Sequence, residues 1–114
     1  MTVQQLTEQL SLTVFHLDDP DRAVTGGYCG DLLSWVMGRA PQGSAWITVM
    51  TNVNVAAVAA LCDVACVVLA QGAVPDEALR ARAEREGIPI LLTENDAYTA
   101  AVRLAQLLGE GARP

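Results

Sequence analysis

Four short apolar runs punctuate the chain, at residues 12–17, 46–50, 66–70 and 88–93, each rich in Val, Ile, Leu or Ala. Runs of this length bounded by turn formers read as strands. Between them the apolar positions change to a spacing of three and four, the signature of helices that pack by one face. Residues 2–9 place Val3, Leu6 and Leu10 on one side, with Thr2 as the cap. Residues 31–37 stack Leu32 on Val36 and Leu33 beside Met37, and Gly38 followed by Pro41 predicts the stop. From Thr51 to about Leu61 the helix is apolar nearly all round. Val53, Ala56, Ala57, Ala60 and Leu61 lie on one face, Val55, Val58, Ala59 and Cys62 on the other. Such a helix needs burial on both sides.

Pro75 and Asp76 then open a charged helix that buries little beyond Leu79 and Ala83 and ends at Gly87. Asn95 or Asp96 caps the last helix, with Ala97, Ala101, Leu104 and Leu108 in one stripe. Strand and helix alternate throughout. The predicted fold is α/β, a mostly parallel sheet of about four strands with helices on both faces, an α/β/α sandwich. The 114 residues make a single domain, with an N-terminal helical segment over 1–11 and a frayed tail over 109–114.

Composition narrows the function classes. Hydrophobic residues make up 52% and aromatics only 4%, so the core is built from Val, Leu, Ile and Ala. The formal charge is −6 and the chain has no lysine. A surface that binds nucleic acid must displace counterions with many cations, so nucleic acid and anionic membranes are not expected partners. Without lysine there is no Schiff-base chemistry and no Gly-x-x-x-x-Gly-Lys-Ser/Thr phosphate loop. No apolar run is long enough to span a bilayer, and the polar N-terminus with Glu8 is unlike a signal peptide. A cytoplasmic location is expected. Cys29, Cys62 and Cys66 form no Cys-x-x-Cys, and His16 is the single histidine. Buried, reduced thiols are expected, with no metal and no cofactor.

The longest interruption between regular segments, residues 18–31, carries Arg22 and the run Thr25-Gly26-Gly27. Long loops in compact domains are usually functional. Successive amides at Thr25, Gly26 and Gly27 could face an anion, and Arg22 is the natural cation for it. In open α/β sheets ligands bind beyond the carboxyl ends of the strands. The strand assignments place this loop there, together with Thr51, Asn52 and Asn54, Gln71 and Gly72, and Thr93 with Glu94 and Asn95. The candidate binding residues are Arg22, Thr25, Gly26, Gly27, Thr51, Asn52, Asn54, Gln71, Gly72 and Thr93. Asn52, Asn54, Asn95 and Asp96 are also ordinary helix caps, and no single one of them carries the argument. No catalytic residue is assigned. Cys29 is the best nucleophile available, near a helix N-terminus that would lower its pKa, and the loop aspartates are the alternative acids.

The stretch from about Leu17 to Leu108 resembles the DRTGG domain family, especially its small stand-alone members. The resemblance rests on Asp21-Arg22, Gly30-Asp31-Leu32-Leu33-Ser34, Trp46-Ile47-Thr48, the run Asn52 to Ala59, Pro75-Asp76, and Gly87-Ile88-Pro89-Ile90-Leu91, in that order. It implies an α/β fold similar to the N-terminal domain of HPr kinase/phosphorylase, and a domain that associates with its like and regulates or assembles. Members occur within CBS-domain pyrophosphatases and phosphotransacetylases. Two elements depart from the family. Ala70-Gln71-Gly72 stands where Thr-Gly-Gly is often found, and Thr51-Asn52 where Asp-Arg often follows the second strand.

The expected function is thus a non-catalytic regulatory or ligand-sensing domain that binds a nucleotide or small anion and acts on a separate partner enzyme. It is expected to form a two-fold homodimer through the 53–61 helix and the neighbouring Trp35 and Met37. The alternatives are a structural interaction module without ligand, and a small enzyme using Cys29 or the aspartates.

Overall fold

The computed structural model describes residues 1–109, so most of the predicted frayed tail lies outside the described residues. In chain order the elements are α1 (Val3–Gln9), β1 (Thr13–His16), β2 (Gly26–Cys29), α2 (Leu33–Arg39) and β3 (Ser44–Thr48). These are followed by α3 (Asn54–Cys62), β4 (Cys66–Leu69), α4 (Glu77–Glu86), β5 (Ile90–Leu92) and α5 (Ala97–Leu108). Five strands form one sheet in the order β1-β5-β4-β3-β2. Strands β2 to β5 run parallel, and β1 lies antiparallel to β5 at one edge. The fold is α/β, as expected.

Side chains alternate across the three inner strands and feed two cores. Trp46, Val67, Leu69 and Ile90 point to one face, where α2, α3 and α4 contribute Val36, Val55, Val58, Leu79 and Ala83. Ala45, Ile47, Cys66, Val68 and Leu91 point to the other, covered by Val3 and Leu6 of α1 and Ala100 and Leu104 of α5. Every residue of β3 and β4 is buried, the pattern of a parallel sheet covered on both sides. Trp46 anchors the first core, fully buried, with its Nε1 donating to the Gly30 carbonyl at 2.9 Å.

The fifth strand is the first correction. Residues 26–29, expected within a loop, form β2 against β3, with Gly26 opposite Ser44 and Cys29 opposite Ile47. Two successive glycines hide a strand from propensity. Packing explains one of them: a Cβ on Gly27 would lie 2.7 Å from Leu104 Cδ2 of α5. Helix α2 begins later than expected because the Asp31 carboxylate is held in the loop by Thr48 Oγ1 at 2.7 Å and the Val49 amide at 3.0 Å. Gly38 sits within its last turn, and Ala40 ends it before Pro41.

The all-round apolar helix, α3, is covered within its own chain. It lies between α2 and α4 in one layer, and Val58 is only 7% exposed. Its inward residues are Val55, Ala56, Val58 and Ala59, whereas Leu61 is 70% exposed. A second subunit is not needed to bury the face that carries Val58. Helix α4 buries Leu79 and Ala83, with Asp76 as its cap and Gly87 at its end, as expected.

Candidate functional site

Parallel strands place all their carboxyl ends along one edge of the sheet. The loops after β2, β3, β4 and β5 emerge there, and the antiparallel β1 begins there, since Thr13 pairs with Leu92. The loop after β4 leads to α4, on the face of α2 and α3; the loop after β5 leads to α5, on the opposite face. Neighbouring loops that part to opposite faces open the crevice where α/β sheets take ligands. A cleft of about 420 Å³ lies at this point, lined among others by Ser11, Thr13, Gly72, Val74, Thr93, Glu94, Asn95 and Arg103. That volume is within the ~300–1,000 Å³ of small-molecule sites.

The floor of the cleft is held by the two loops bonding to each other. Gln71 and Gly72 adopt left-handed backbone conformations, φ 62° and 68°. Their amides donate to the carbonyls of Asn95 at 2.8 Å and Thr93 at 3.0 Å. Thr93 Oγ1 accepts from the Asn95 amide at 3.2 Å, and Asp96 caps α5 through Thr99 N at 2.7 Å. Glycine suits the left-handed φ at 72, and a Cβ there would come 2.6 Å from Glu94 Oε2, pushing that flexible side chain aside. Arg103, half-buried, comes from α5. Among the described residues neither Glu94 nor Arg103 has an ion-pair or hydrogen-bond partner for its side chain.

Of the sequence-predicted residues, Gln71, Gly72 and Thr93 come together here, with Gly72 and Thr93 lining the cleft. Thr51, Asn52 and Asn54 lie at the same edge beyond β3, outside that lining. Asn52 turns the chain into α3, its Oδ1 accepting the Asn54 amide at 2.9 Å.

Arg22, Thr25 and Gly26 lie at the opposite end of the sheet, because β2 begins at Gly26. Arg22 Nη1 donates to Asp63 Oδ1 at 2.8 Å and its Nη2 to the Asp63 carbonyl at 2.7 Å. Gln42 Nε2 donates to the other Asp63 oxygen at 2.6 Å. The hydrogen bonds from Arg22, then from Gln42, hold the Asp63 carboxyl below its ordinary range. The Thr25 amide donates to Gly43 O, and Gly26 and Gly27 stand in the ladder with β3. The carbonyls of Arg22 and Pro20 accept the Val3 and Gln4 amides, satisfying the open first turn of α1. This segment is therefore a clasp between α1, β2 and the C-terminal end of α3. The loop that its composition suggested for an anion thus lies at the opposite end of the sheet from the cleft, with the Arg22 guanidinium bonded to Asp63.

Cys29 is exposed, and its thiol pKa is raised by partial burial and by the nearby Asp31 carboxylate, opposite to the lowering expected from a helix N-terminus. Burial raises Cys62 as well and pushes Cys66, which is fully enclosed, up to about 12. The expectation of buried thiols thus holds fully for Cys66 alone. Sequence reasoning missed Arg103, Thr13 and Ser11 as cleft residues. The available signal was a lone cation inside α5, three residues after the buried Ala100.

No helix among the described residues is long and apolar enough to cross a membrane. No curated protein matches the chain. A solved structure of the CBS and DRTGG domains of the regulatory region of Clostridium perfringens pyrophosphatase, complexed with its activator diadenosine tetraphosphate, superposes with a TM-score of 0.70 at 15% identity. The match covers 92% of this chain and 46% of that one, so this chain spans about half of its length. The family model of the DRTGG domain matches residues 33–107. These residues include the loops after β4 and β5 and Arg103, whereas Leu10, Ser11 and Thr13 of the cleft and Arg22 lie outside them. The chain belongs to the DRTGG domain family.

Proposed function

We propose that this protein is a non-catalytic regulatory domain that senses a small ligand carrying an anionic group, a nucleotide or another small anion. The observation that carries the reading is the cleft between the β4 and β5 loops, with the half-buried Arg103 unpaired inside it among the described residues. A guanidinium without a partner is suited to grip a carboxylate or phosphate. The hydroxyls of Ser11, Thr13 and Thr93 add neutral donors on the same lining. The relative bound to diadenosine tetraphosphate lends the regulatory part of the reading its support.

Signal output requires a partner, and we place self-association on the α2 face. Leu32, Trp35 and Met37 are exposed there at 57, 56 and 47%, and the Arg39 guanidinium lies 4.5 Å from the centroid of the Trp35 ring. Aromatic, Met and Arg side chains are enriched at interfaces. A homodimer through this face, acting on a separate enzyme in the cytoplasm, completes the proposal.

A thermal-shift screen with nucleotides, carboxylates and inorganic phosphate tests it. A ligand at 100 times its Kd stabilises by about 2.7 kcal/mol, and the shift should vanish in Arg103→Ala. Silence from every anionic compound, together with a dimer by light scattering that Trp35→Asp dissociates, would favour a structural interaction module instead.

A further inference from the structure

Among the described residues the lining of the cleft carries one cation, the half-buried Arg103, and one anion, the exposed Glu94, and the two do not meet. Glu94 and Arg103 line the same cleft, on the β5–α5 loop and on α5, yet no ion pair within 4.0 Å joins them. Opposite charges that share a concave wall without pairing leave room for a ligand that satisfies both. From this we infer that the ligand is a small zwitterion, a free α-amino acid with an apolar or small side chain. Its carboxylate would lie on Arg103 and its ammonium on Glu94. The inference rests on the proposal that the cleft binds an anionic group.

Three features favour this class over a nucleotide. The two charges in the lining sum to zero, whereas a nucleotide phosphate brings more than one negative charge to a wall that already holds a carboxylate. Like charges in a partly enclosed site repel more strongly than in water. Phosphate sites also use several free backbone amides. Here the amides of Gln71 and Gly72, the obvious cradle, already donate to Asn95 and Thr93 carbonyls. The remaining wall is supplied by Leu10, Ala73, Val74 and Leu92, apolar surface suited to a short aliphatic side chain. A guanidinium fork matches a single carboxylate bidentately, and the Glu94 carboxylate, which holds no partner among the described residues, can accept from an ammonium without breaking another hydrogen bond.

Isothermal titration calorimetry on the full chain tests the inference. The probes are L-leucine, its deaminated analogue 4-methylpentanoate, its decarboxylated analogue 3-methylbutylamine, AMP and inorganic phosphate. L-leucine should bind wild type, and each analogue should bind about 10–100-fold more weakly, the loss expected for one charged hydrogen-bonding partner. Glu94→Gln and Arg103→Gln should each weaken L-leucine by a similar factor. Among the described residues neither side chain has a partner to lose, so both variants should unfold at the wild-type temperature. If AMP or phosphate binds, L-leucine does not, and Glu94→Gln strengthens the anion, the zwitterion is overturned while the anion site stands. If no probe binds wild type, both fail.

Discussion

The two ends of the sheet are composed alike and behave differently. At the amino end, Arg22, Gln42 and the Gly43 amide bond Asp63, with Thr25 and two glycines following Arg22 in the chain; at the carboxyl end, Arg103, Asn95, Thr93 and Gly72 line a cleft with Glu94. In the first group the arginine is bound to Asp63 and the backbone amides to strand and loop carbonyls. In the second the backbone is likewise bonded, but the arginine and the carboxylate are left facing a cavity. Residue type alone does not tell a structural clasp from a candidate site. The two ends differ in which charged side chains are paired among the described residues.

The largest effect should come from filling the contact at β2. Gly27→Val forces a side chain into Leu104, where a Cβ alone would come within 2.7 Å. Overpacking of this kind costs about 1–3 kcal/mol, read as a lower midpoint in urea. Ligand binding at the opposite end should be unchanged once the protein is folded. A variant as stable as wild type would mean that β2 and α5 do not pack as described.

A smaller loss is expected from Gly72→Ala. Left-handed backbone is unfavourable for alanine by about 1 kcal/mol, and the new methyl must displace the Glu94 carboxylate. Stability should fall slightly while affinity in the cleft changes more. Equal stability with unchanged affinity would detach Gly72 from the site.

The architecture was legible in the sequence because the inner strands are apolar runs and the ends of α4 and the start of α5 carry clear signals. Asp76 and Gly87 bound α4 where expected, and Asp96 caps α5. Strand β2 was not legible, because Gly26 and Gly27 are present for close packing and pairing, which composition presents as loop chemistry. That omission moved Arg22, Thr25 and Gly26 to the wrong end of the sheet. Gln71, Gly72 and Thr93 fall at the carboxyl end, as expected, because they come just after the unmistakable strands β4 and β5. Arg103 was missed because its role depends on where α5 crosses the sheet, which no local pattern encodes. The apolar face of α3 was legible, but its coverage by α2 and α4 depends on strand order.

The smallest effect distinguishes the clasp by pH. Asp63 titrates below its ordinary value in the folded state, so its contribution is present above the unfolded carboxylate pKa of about 4 and is lost as pH falls through the depressed folded value. Arg22→Ala should therefore flatten the acid limb of stability against pH, with little change in ligand affinity at pH 7. Asp96, whose pKa is lowered mainly by its hydrogen bond from the Thr99 amide, is common to both proteins and cancels. An unchanged acid limb in Arg22→Ala would show that the Asp63 contacts do not persist in solution.

Backbone amide NMR during titration with L-leucine, AMP or inorganic phosphate tests the central claim, that binding belongs to the carboxyl end. Shifts concentrated at Gly72, Thr93, Glu94 and Asn95, with Thr25, Gly26 and Gly27 unmoved, are the predicted result. Shifts concentrated at Thr25, Gly26 and Gly27, with the β4 and β5 loops silent, would contradict it.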